Sequence, residues 1–67
     1  MSNHFNAMVK IRESLTDTMI TCWQEGRKRI ESDPHNSEIY FYTGSACMEL
    51  INKLNNSISE EVSKWAQ

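Results

Sequence analysis

Cys22, Cys47, His4 and His35 are the side chains in this sequence soft enough to hold a transition metal, and their spacing forms no metal motif. Structural zinc sites draw their ligands in closely spaced pairs, so that one turn or hairpin presents both to the ion. No two of these residues lie that close. The cysteines read instead as small apolar residues packed as thiols, with a disulfide or redox pair as the alternative reading. The chain also lacks a Gly-rich phosphate loop, a nucleophile elbow and a carboxylate pair in an apolar setting, the arrangements that would support phosphate binding, acyl transfer or general acid–base work. The expectation is therefore a protein that is no enzyme, with no metal and no cofactor.

Arg27, Lys28 and Arg29 form a short basic run, with Lys10 and Arg12 further up the same segment. They could touch phosphate, but solvation and the negative end of a helix dipole account for them more simply. Seven basic against nine acidic residues leave a net charge of -2, and Glu13, Asp17 and Glu25 interrupt any basic face. Nucleic acid and an anionic membrane surface are therefore not expected partners. Tyr40, Phe41 and Tyr42 point around three sides of a helix, so at least one ring is expected at the surface or against a partner.

The elements that position these residues are organised around Glu31-Ser32-Asp33-Pro34-His35-Asn36-Ser37. Pro34 has no N–H and pushes Asp33 out of the helical region, which ends a helix arriving from the N-terminal side. The same Pro suits the first turn of a new helix, for which Asp33, Asn36 or Ser37 supplies the cap. Apolar residues mirror one another about His35: Ile30 and Tyr40, Gly26 and Gly44, Met19 and Ile51, Met8 and Val62, Phe5 and Trp65. Cys22/Cys47 and Leu15/Leu54 miss that symmetry by one residue. Such mirroring predicts an all-α antiparallel two-helix hairpin, coiled-coil-like, with residues 1–67 as a single small domain.

Along the first helix Phe5, Met8, Arg12, Leu15, Met19, Cys22, Gly26 and Ile30 recur at spacings of three and four, with Ser2 or Asn3 as candidate caps. The second stripe is Tyr40, Gly44, Cys47, Ile51, Leu54, Ile58, Val62 and Trp65, again with the coiled-coil period. A kink near Ser14 is conceivable, because Thr16, Thr18 and Thr21 lower helix propensity there. Asn55-Asn56-Ser57 followed by Glu60 could likewise start a separate C-terminal helix at Ser57, although one continuous helix is the simpler reading. Each glycine inside a helix costs about 1 kcal/mol relative to Ala. Gly26 and Gly44 therefore either face one another, allowing close approach or making room for Trp23 or Phe41, or Gly26 simply ends its helix.

Two helices alone cannot bury everything apolar in this chain. Val9, Ile20 and Trp23 on the first helix, and Phe41, Met48 and Leu50 on the second, lie beside the seam. Either the chain folds back into a compact multi-helix unit, or this flank meets another surface, a second copy or a different protein. On the second reading Val9, Ile20, Trp23, Phe41 and Met48 are the candidate partner-binding residues.

In size, central turn and stripe pattern the whole chain resembles the small E-type co-chaperones of type III secretion needle subunits. That resemblance implies a helical hairpin that supports a second chaperone by covering apolar surface. Asp17-Thr18-Met19, Phe41-Tyr42-Thr43, Asn52-Lys53-Leu54, Ile58 and Val62 are similar to the Hha/YmoA modulators, which implies binding to the nucleoid protein H-NS. That family's charged Asp-His-Arg segment has no counterpart in residues 43–48, and no functional residue carries over from either family. The function expected is a small non-enzymatic chaperone, adaptor or inhibitor, with an H-NS-type modulator or a four-helix-bundle RNA binder as alternatives. The N-terminal Met1-Ser2-Asn3-His4 has neither the basic nor the apolar part of a secretory signal. No stretch approaches the roughly 20 apolar residues of a membrane span, so a cytoplasmic location is expected.

Overall fold

The computed structural model describes residues 3–66, and the candidate cap at Ser2 lies outside them. Helix α1 covers Asn3–Lys28 and helix α2 covers Pro34–Trp65, and they pack antiparallel into a rod of 54 × 15 × 12 Å. Pro34 occupies the first turn of α2 and Asp33 is its N-cap, as the turn chemistry predicts. The Asn36 backbone N–H donates to Asp33 Oδ1 at 3.5 Å, the Asn36 Nδ2 donates to Oδ2 at 2.6 Å, and the Ser37 N–H donates to the Asp33 carbonyl at 3.0 Å.

Neither helix breaks where its propensity is weakest. α1 runs through Ser14, and the threonine-rich stretch bonds back onto its own helix. Thr16 Oγ1 donates to the Arg12 carbonyl at 2.8 Å and Thr18 Oγ1 to the Ser14 carbonyl at 3.0 Å, contacts that bend helices slightly without ending them. α2 likewise runs through Ser57, so no separate helix begins there. Tertiary contacts on both sides explain this: Asn55 Oδ1 accepts from Arg12 Nη1 at 2.9 Å, and Ile58 is buried. Packing of this kind overrides local propensity.

The seam is formed on α1 by Met8, Cys22 and Gly26, and on α2 by Ser37, Gly44, Cys47 and Ile58, all buried. Leu15, Met19, Ile51 and Leu54 are half-buried between them. At the free end the Phe5 and Trp65 rings meet with centroids 4.7 Å apart and planes tilted by 57°, matching their mirrored positions. Two expected seam positions, Ile30 and Val62, are corrected, both being exposed. Val62 is 46% exposed; the alternation of three and four that runs through Ile51, Leu54 and Ile58 continues to Glu61. The Glu61 side chain is 21% exposed and reaches Lys64 Nζ at 3.9 Å, so its aliphatic stem fills the apolar position while its carboxylate remains at the rim.

Both glycines lie inside helices with ordinary helical backbone, so Gly26 is not a helix-ending residue. A Cβ on Gly26 would come within 3.1 Å of Phe41 Cζ, and one on Gly44 would meet Trp23 Nε1 and Cδ1, the latter at 2.6 Å. Each glycine thus accommodates an aromatic ring from the opposite helix. The approximately 1 kcal/mol cost of each glycine is offset by the packing of that ring.

A candidate partner-binding face

Val9, Thr16 and Trp23 follow one another at intervals of seven on α1, with Ile30 a further seven on in the turn just past its end, and Phe41, Met48, Asn55 and Val62 do so on α2. In an antiparallel helix pair these two rows flank the same side of the seam, and the cross-helix contacts agree. Trp23 lies on Gly44, Phe41 on Gly26, and Arg12 bonds Asn55. The candidate residues Val9, Ile20, Trp23, Phe41 and Met48 therefore share one face, with Ile20 one helical turn from Trp23. They are not equally free. Val9, Trp23 and Phe41 are half-buried, while Ile20 and Met48 are exposed. Trp23 in particular does not stand beside the seam, because its indole covers Gly44 and belongs to the hairpin's own packing.

Sequence reasoning omitted two exposed members of this face, Ile30 and Val62, at 54% and 46%. The mirror symmetry about His35 assigns both to the seam, and only the interval of seven from Trp23 and Asn55 marks them as flank. Near the turn, Ile30, Pro34, Ser37, Phe41 and Tyr42 line an open apolar groove continuous with the same face. The opposite side of the hairpin carries a second apolar patch, where Ile11 and Leu50 border a groove with Leu15 and Leu54.

The basic run is largely occupied by neighbouring groups. Arg29 Nη1 donates to the Glu25 carbonyl at 3.0 Å and pairs with the Glu25 carboxylate, while its guanidinium lies 4.8 Å over the Tyr40 ring. Lys28 Nζ approaches Glu25 Oε1 at 3.3 Å. These contacts, Arg29 first and Lys28 second, hold the Glu25 carboxyl below its ordinary range, and Glu25 in turn raises the Arg29 guanidinium. The cluster fastens the end of α1 to α2 and satisfies a carbonyl that the helix terminus leaves without an intrahelical partner. As an exposed ion pair it adds little stability by itself.

Cys22 and Cys47 are free and buried. Among the described residues, no three His, Cys, Asp or Glu side chains are grouped to hold a metal ion, and no helix is long and apolar enough to cross a membrane. The chain matches no family description, and it is significantly similar to no curated protein and no solved structure.

Proposed function

We infer that the chain is a small non-enzymatic protein-binding module of the chaperone, adaptor or inhibitor kind, acting through the face that carries Val9, Ile20, Trp23, Phe41 and Met48. One observation carries this reading: the hairpin exposes Ile20, Ile30, Met48 and Val62 along one side, while no large side chain among the described residues is fully buried. Contiguous exposed apolar surface is a feature of interaction sites, although Ile11 and Leu50 also stand exposed on the opposite side. The methionine and aromatic side chains there suit adaptable contacts. Phosphate recognition is less favoured, because Glu25 engages two of the three consecutive basic side chains.

Ile20→Glu combined with Met48→Glu tests the reading, since both positions are exposed in the hairpin and helices tolerate Glu. The wild-type chain, used as bait, is expected to retain a stoichiometric protein partner, another protein or a second copy, that the double variant loses at unchanged helical circular dichroism. Equal retention by the variant would refute the role of this face.

A further inference from the structure

We propose that this face is covered by a second copy of the chain, and that the two hairpins lie turn to turn in a four-helix bundle. The proposal rests on the protein-binding reading above and names the partner. Its first support is area. The chain exposes 5018 Å², whereas a compact monomer of 7.8 kDa is expected to expose about 4400 Å². The excess, about 600 Å², reaches the lower end of the roughly 600–1,000 Å² that each partner contributes to a stable interface.

The second support is the order of residues along the face. From the turn outward it has four layers: Ile30 with Phe41, Trp23 with Met48, Thr16 with Asn55, and Val9 with Val62. Three are apolar. The third is polar and is tied to the neighbouring helix by the 2.9 Å bond from Arg12 to Asn55. Successive layers are seven residues apart, about 10 Å along a helix, except that Ile30 sits in the turn just beyond α1. Two copies lying turn to turn bring every layer against its own counterpart, apolar on apolar in three and polar on polar in one. Copies running in opposite directions with full overlap set the Trp23/Met48 layer of each against the Thr16/Asn55 layer of the other. Sliding them by one layer repairs that conflict but leaves Ile30 and Phe41 of both copies overhanging. A polar layer in an otherwise apolar interface is a common way to specify register, and the closed two-fold arrangement uses the same patch on both copies.

Sedimentation equilibrium of the intact chain from micromolar to millimolar concentration, with nitroxide labels on Ser32→Cys, tests the arrangement. The native thiols are buried and should be spared by the label. The expected result is a species of twice the 7.8 kDa chain mass, with an inter-label distance shorter than half of the 54 Å rod. Ile20→Glu/Met48→Glu should dissociate it, whereas Ile11→Glu/Leu50→Glu on the opposite side should not. A distance close to the rod length overturns the turn-to-turn order, and equal dissociation by both pairs overturns the choice of face. A monomer throughout the range overturns self-association. In that case capture of a different protein by wild type, and its loss in Ile20→Glu/Met48→Glu, still decides the protein-binding reading separately.

Discussion

Replacing Gly44 with Ala separates two effects that the hairpin sets against each other. Alanine should stabilise a mid-helix position by about 1 kcal/mol, but the added methyl would enter the space filled by the Trp23 indole, with Cδ1 only 2.6 Å away. The indole is a rigid ring rather than a flexible chain end, so the methyl is admitted only by displacing it, and overpacking of this kind costs about 1–3 kcal/mol. Gly44→Ala is therefore expected to destabilise the hairpin by up to about 2 kcal/mol. Gly26→Ala meets the Phe41 ring at 3.1 Å or more, a shortfall of a few tenths of an ångström, and should be close to neutral. The cause is isolated by a double-mutant cycle with Trp23→Ala, followed by urea unfolding and circular dichroism in sucrose so that all four members remain folded. With the indole gone, Gly44→Ala should become stabilising by about 1 kcal/mol. An equal effect of Gly44→Ala in both backgrounds would refute the steric account.

Ser37→Ala removes the buried hydroxyl that donates to the Gly26 carbonyl at 2.7 Å. Because that carbonyl also accepts from the Arg29 N–H at 3.2 Å, it is not left bare, and the loss should be about 1 kcal/mol in urea unfolding; no measurable loss would show that the bond is not formed. Acidification should weaken the turn. The side chain of Asn36, then its backbone N–H, with Arg29 and His35 adding charge, hold the Asp33 carboxyl below its ordinary value of 3.8. The folded value is the lower one, so the contribution is fully present above pH 3.8 and is lost as pH falls through the folded value. Asp33→Asn should remove that part of the acid-side fall in melting temperature, and an unchanged acid slope would show that Asp33 is not its source.

The hairpin was legible because Pro34 and the mirrored stripes state the same thing twice, once in backbone chemistry and once in periodicity. The Asp33 cap and the Phe5–Trp65 contact follow from those two signals. Contacts that depend on side-chain shape were not legible. The sequence names Trp23 and Phe41 as rings for which Gly26 and Gly44 leave room, and each glycine does face one of them; the spacing does not decide between that and glycine facing glycine, since the mirrored register pairs the two. Ser37 was readable as a cap, yet its hydroxyl crosses the turn to α1 and it is more buried, at 4% exposed, than any apolar core residue. Val62 was drawn into the seam by its hydrophobicity, but helical phase places Glu61 there, and a long charged side chain can serve as apolar filler through its stem. Of the candidate face, the shared side of Val9, Ile20, Trp23, Phe41 and Met48 was visible in sequence. That the Trp23 indole is the ring that fills the space over Gly44, rather than standing beside the seam, needed side-chain shape to decide.

The reciprocal placement of the two rings also bears on the conformations the chain rejects. Coiled-coil seams repeat every seven residues, so two helices of one chain can in principle slide by a heptad and still match apolar with apolar. Here Trp23 lies on Gly44 and Phe41 on Gly26. Slipping α2 by seven residues one way would bring Trp23 onto Ile51, and the other way onto Ser37 while Phe41 met Met19. None of these positions is a glycine. Each ring is a key with one slot on the opposite helix, so a slipped hairpin would have to expel both rings. The two glycines, which weaken each helix taken singly, thereby widen the energy gap between the native alignment and its nearest competitors.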